Sequence, residues 1–167
     1  MPKKTDESIK IIKEYLYNLN LEDDFFTSLR ADYKDFDLWF KTKQKQGKQA
    51  YITKNQNGEI TSFLMLKEEN ENEDYTSFEK PFKPGKRMKV STFKVLDTGK
   101  KIGDCFIKIM QKQAINTNAK EIYITTYKKQ ESLIFLLKQN GFKLYTYKNT
   151  KKSDNTVEKE EIYVKTI

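Results

Sequence analysis

Three observations predict an α/β fold with a mixed sheet for this chain. Six segments rich in β-branched and aromatic residues, 49–53, 59–67, 88–96, 121–126, 142–148 and 160–167, have the composition of strands. Between and before them run stretches whose apolar residues fall three and four apart, as on a helix with one buried face. The strand-helix-strand unit from Met88 to Thr126 then requires parallel pairing by the crossover rule, whereas the 49–67 and 142–166 pairs suit antiparallel pairing. Helices on both faces of one sheet follow. At 167 residues a single domain over 1–167 is expected.

Ile9, Ile12, Leu16 and Leu19 form a stripe that predicts a helix over 8–19. Phe36, Trp39 and Phe40 predict a second helix over 36–45, stopped by Gly47. Asn57-Gly58 marks a hairpin between the strands at 49–53 and 59–67. The run 68–74 is acidic and reads as a solvated loop leading through Pro81, Pro84 and Gly85 to the strand at 88–96. A helix from Gly103 to about Ala114 presents Phe106, Ile107, Met110 and Ala114, and the strand 121–126 leads to a helix over 131–139 capped by Asn140-Gly141. Two strands joined by the polar loop 149–160 close the chain.

Composition excludes several chemistries. There is no histidine, which removes imidazole bases, Ser-His-Asp and Cys-His nucleophile systems and histidine-ligated metals together, and no metal site is expected. The one cysteine, Cys105, forms no internal disulfide; it suits a reducing, cytoplasmic setting and is expected to be buried and inert on its helix. The net charge of +8 suggests nucleic acid, yet of 32 basic residues only Arg30 and Arg87 are arginine. Base and phosphate recognition favours the guanidinium fork, so nucleic acid is the less favoured partner. No stretch of about 18 apolar residues is present to span a membrane.

The informative place is the turn before the helix at 103. A helix start exposes backbone N–H groups and the positive end of its dipole, and here Gly99 and Gly103 frame Lys100 and Lys101. An anion such as a phosphate suits that surface. The strand Phe93-Lys94-Val95, followed by Thr98-Gly99-Lys100-Lys101-Ile102-Gly103, resembles the first motif of the GNAT superfamily of acetyl-CoA-dependent N-acetyltransferases, in which [QR]-x-x-G-x-[GA] opens a helix after a strand. Thr98 replaces the Gln or Arg, and Lys101 replaces the middle glycine. Gln130, Leu133, Leu136, Leu137 and Gly141-Phe142 resemble the second motif at the expected separation, with Leu137 where the family carries a tyrosine.

That resemblance, which covers the chain from about Gln49 onward, implies a GNAT-like acyltransferase fold: a mixed, mostly antiparallel sheet splayed between two central strands. It implies acetyl-CoA as cofactor, its pantetheine arm beside the backbone of Phe93 and Val95 and its pyrophosphate near Lys100, Lys101, Ile102, Gly103 and Asp104. It implies acetyl transfer to a primary amine of a small molecule, peptide or protein by direct attack. With histidine absent, Glu, Asp or water must serve as base, Glu68 and Glu69 being the nearest candidates and Glu69 the one selected; with tyrosine missing at Leu137, Tyr127 is the expected acid toward sulfur. Two alternatives stand beside this reading: an acyl-CoA-binding domain with weakened turnover, and a nucleic-acid-associated module of a longer protein.

Overall fold

The computed structural model describes residues 10–96, 101–152 and 154–167. Of the stretch expected as a helix over 8–19, Ser8 and Ile9 lie outside the described residues, and Ile12–Tyr15 form a strand instead. β1 (Ile12–Tyr15) pairs antiparallel with β2 (Gln49–Lys54), and a 3-10 turn, Leu16–Asn18, follows. Isoleucine and tyrosine are better strand formers than helix formers, and β2 offers an edge to pair with, so tertiary context overrides the periodicity. Leu16 and Leu19 are buried all the same.

Residues 20–35 carry little sequence signal but are ordered by one aspartate. Asp23 accepts the Phe25 N–H at 2.9 Å and the Ile60 N–H at 3.0 Å, which caps the turn Asp24–Phe26 and ties it to the neighbouring hairpin. α1 (Thr27–Asp32) and the expected α2 (Phe36–Lys45) follow. Phe26, Phe36 and Phe40 are buried against Ile52 and Phe63.

β2 turns through Asn55–Gly58 into β3 (Ile60–Glu69), with Gly58 at φ +77°, where only glycine is unstrained. β3 pairs antiparallel with β4 (Arg87–Val95), β4 runs parallel to β5 (Glu121–Tyr127), and α3 (Ile102–Asn116) makes the crossover between them. After α4 (Glu131–Gln139) come β6 (Lys143–Lys151) and β7 (Val157–Thr166), β7 inserting between β5 and β6. The sheet order is β1-β2-β3-β4-β5-β7-β6 with one parallel pair, as expected.

α3 and α4 cover one face over Met88, Val90, Ile122 and Ile124. α1 and α2 cover the β2–β3 half of the other face. Its β5–β7 half is covered by 75–82, whose Tyr75, Phe78 and Phe82 pack on Tyr123 and Ile162. The segment after the acidic run is therefore a packed flap, held by rings 5.0–6.1 Å apart. Among the described residues no helix is long and apolar enough to cross a membrane.

Candidate active site

The site originates in one extra residue. Met65 faces Thr92 and Leu66 faces Val90, so Ser91 is a β-bulge on β4. The bulge shifts the side-chain alternation: Met88 and Val90 point to the α3 face before it, Phe93 and Val95 after it. It also bends the strand. Arg87 to Val90 pair with Glu121 to Ile124, and the ladder stops there although β4 runs on to Val95 and β5 to Tyr127. The strands part into a V whose facing edges carry main-chain groups with no ladder partner across the gap, an arrangement that an extended ligand can pair with.

The V opens into a cleft of about 780 Å³ that reaches both faces of the sheet. On the α3 face its wall includes Lys101, Ile102, Gly103 and Asp104. Lys101 takes the left-handed conformation at φ 56° and caps α3 without a side-chain hydrogen bond. The N–H groups of Ile102, Gly103 and Asp104 begin the helix with no carbonyl four residues back inside it. Asp104 is exposed and suits the helix dipole, though it repels a phosphate at short range. Lys100 lies outside the described residues.

Phe93 and Val95 pack into the α3-side core and also border the gap. Phe93 meets Phe106 edge to face at 5.6 Å, Val95 packs on the same core, and their backbone lines the gap. Gly103 has a packing reason of its own: a Cβ there would stand 2.7 Å from Leu136 Cδ2. Beyond the bulge, Lys94 donates to Ser28 Oγ at 2.8 Å and to the Phe25 carbonyl, which straps β4 to the first turn of α1 and the turn before it.

On the opposite face, Tyr127 is buried and lines the cleft, its hydroxyl donating to the Asp32 carbonyl at 3.3 Å and its ring 5.8 Å from that of Tyr33. Burial first, then the charge of Glu160, pushes both phenols well above the ordinary tyrosine value. Lys89 also lines the cleft, and burial lowers its ammonium.

Glu69 is not brought to the cleft. Because β3 is antiparallel to β4, Glu69 faces Arg87 at the closed end of the V. Its carboxylate accepts from Tyr75 at 3.0 Å and Tyr123 at 2.5 Å and pairs with Lys67 at 3.3 Å, so its oxygens already have structural partners. Cys105 is exposed, contrary to expectation, because the buried face of α3 is set by its neighbours Ile102, Phe106 and Ile107. Leu137 is fully buried among core side chains.

Sequence reasoning missed Glu160 and Thr150, which line the cleft from β7 and β6. Period-two spacing from the buried Ile162 places Glu160 on the same inward face, a signal present in the sequence. No group of three acidic or cysteine side chains is arranged to hold a metal ion among the described residues.

No family model and no curated protein matches the sequence. Solved structures do. Naa20 of Chaetomium thermophilum, in complex with a bisubstrate analogue, aligns over 95% of this chain and 86% of its own at TM-score 0.70 and 14% identity. NAA60 of Arabidopsis thaliana, also with a bisubstrate analogue, aligns over 95% and 98% at TM-score 0.63 and 16% identity. A GNAT superfamily phosphinothricin acetyltransferase of Sinorhizobium meliloti in complex with AcCoA aligns over 96% and 89% at TM-score 0.64 and 12% identity. The chain has the GNAT acetyltransferase fold.

Proposed function

We propose that the chain is a GNAT acetyltransferase that moves the acetyl group of acetyl-CoA to a primary amine by direct attack in a ternary complex. The observation that carries this reading is the parting of β4 and β5 after Val90 and Ile124, opening onto the start of α3. The β4 edge from Ser91 to Val95 suits the amides of a pantetheine arm. The amides of Ile102, Gly103 and Asp104, with Lys101 beside them, suit a pyrophosphate. Acetyl-CoA supplies the activated acyl group as a thioester.

An ammonium group of pKa about 10.4 is neutral roughly once in 2,500 molecules at pH 7, so about 4 to 5 kcal/mol must come from deprotonation or desolvation. The cleft reaches both faces, which lets an amine come from the α1–α2 side to a thioester held from the α3 side. Tyr127, like any phenol, holds its proton at neutral pH, and burial raises it further. It serves as a hydrogen-bond donor toward a departing sulfur once it leaves the Asp32 carbonyl, not as a base. A second reading, a cofactor-binding domain with weakened turnover, is favoured by Leu137 in the core and by the existing bond from Tyr127 to Asp32.

Calorimetry with acetyl-CoA, followed by thiol release over a panel of amines in a Cys105→Ala background, separates these readings. Binding with release supports the enzyme, and binding without release supports the second reading. No binding would remove the functional assignment and leave the fold.

A further inference from the structure

Two side-chain atoms among the described residues are buried with no hydrogen-bond partner, Glu160 Oε1 and Thr150 Oγ1. Both line the same cleft. Glu160 is 2% exposed, and a carboxylate oxygen left without a donor at such a depth is costly unless something it binds supplies one. Lys148 stands opposite it in the ladder and Lys89 feels its charge, yet neither reaches ion-pair distance. The phenol hydroxyls of Tyr33 and Tyr127 hydrogen-bond toward the carboxylate but leave Oε1 without a donor, and their rings stand 5.8 Å apart beside it. A carboxylate beside aromatic rings is a receptor for an alkylammonium.

We propose that Glu160 receives the ammonium of the acceptor and takes its proton, and that Thr150 binds a second polar group on the same acceptor. This rests on the acetyl-transfer reading and deepens it. Thr150 pairs with Glu158 and Glu160 with Lys148, so Glu160 and Thr150 are diagonal neighbours on one face, with Cβ atoms about 7 Å apart. An ammonium followed closely by an amide, as in an amino-acid amide or a peptide α-amine, bridges that separation. In the reaction the nitrogen forms the amide bond as the thioester C–S bond breaks. Of the two protons lost by the ammonium, one passes to Glu160 and on to water, and the other ends on the sulfur, giving free thiol.

The probes are n-butylammonium, which has no second polar group, and glycinamide, which has one. Both should raise the melting temperature of the wild-type protein, and both should be acetylated when acetyl-CoA is present. Glu160→Gln should abolish the thermal shift for both and lower kcat/KM by about 10²-fold or more, while acetyl-CoA affinity stays within twofold of wild type and the melting temperature without ligand is unchanged or higher. Thr150→Val should raise KM for glycinamide about fivefold and leave n-butylammonium unaffected. If the wild type binds acetyl-CoA but neither amine shifts it, or if Glu160→Gln retains both shifts and turnover, the subsite is refuted. Loss of acetyl-CoA binding in the wild type would instead refute the underlying reading. A Glu160→Gln protein that does not fold would make the carboxylate structural and overturn its proposed role, and the Thr150→Val arm tests the second contact separately.

Discussion

Gly103→Ala tests whether the cleft wall is set by the contact between α3 and α4. The new methyl would sit 2.7 Å from Leu136 Cδ2, about 1 Å inside the 3.5–4.0 Å of a relaxed carbon contact. Leu136 is half-buried and flexible at that end, so the overpacking costs about 2 kcal/mol. Replacing a helical glycine by alanine returns up to about 1 kcal/mol. The net loss is about 1 kcal/mol, a fall of roughly 2–4 °C in melting temperature for a chain of this size. In a Leu136→Ala background the methyl meets no clash and only the helical gain remains, so the same substitution should stabilise by up to about 1 kcal/mol. Thermal unfolding of the four proteins in the cycle measures this reversal of sign. Effects that add within about 0.5 kcal/mol would refute the contact. Leu136 lines the cleft, so calorimetry should also show acetyl-CoA affinity falling more for Gly103→Ala than for the exposed, off-wall Cys105→Ala.

Two further outcomes are expected. Asp104→Asn removes a helix-stabilising charge and a phosphate-repelling one together, so melting should show a loss of about 0.5 kcal/mol while calorimetry shows acetyl-CoA binding about threefold tighter; weaker binding would displace the pyrophosphate from the start of α3. Burial first, with carboxylate neighbours adding to it, raises the phenols of Tyr33, Tyr75, Tyr123, Tyr127 and Tyr163 above the ordinary tyrosine value of about 10. The native chain keeps those protons where the unfolded chain loses them, so this stability is fully present below about pH 10 and is lost as pH rises beyond it. Phenolate absorbance and circular dichroism recorded together should show these five ionising with unfolding, and full ionisation in a folded chain would contradict their burial.

The chain's local chemistry determined much of the architecture. The strand compositions, Asn57-Gly58, the 36–45 and 131–139 stripes and the strand-helix-strand unit led to the mixed sheet because each depends on residues near one another in sequence. The turn at 101–104 was legible for the same reason: a helix start displays its own amides. The first helix was misread because Ile12 to Tyr15 pair with β2, a partner some 35 residues away in the chain, and periodicity over a dozen residues does not register such a partner. Glu69 was misplaced because its position along the V depends on which residues of β4 it faces. That is a matter of register, which no local pattern specifies.

Only the tertiary structure decided the site. Ser91 becomes a bulge through its pairing with β3, and the bulge sends β4 away from β5. Glu160 Oε1 and Thr150 Oγ1 are left without partners at the cleft because β7 inserts between β5 and β6, which sets Glu160 beside Tyr33 and Tyr127. Strand order and the burial it imposes are sums over distant contacts, whereas helix starts and turns are satisfied within a few residues; the sequence alone therefore determined the elements, and long-range pairing determined which side chains face the cleft.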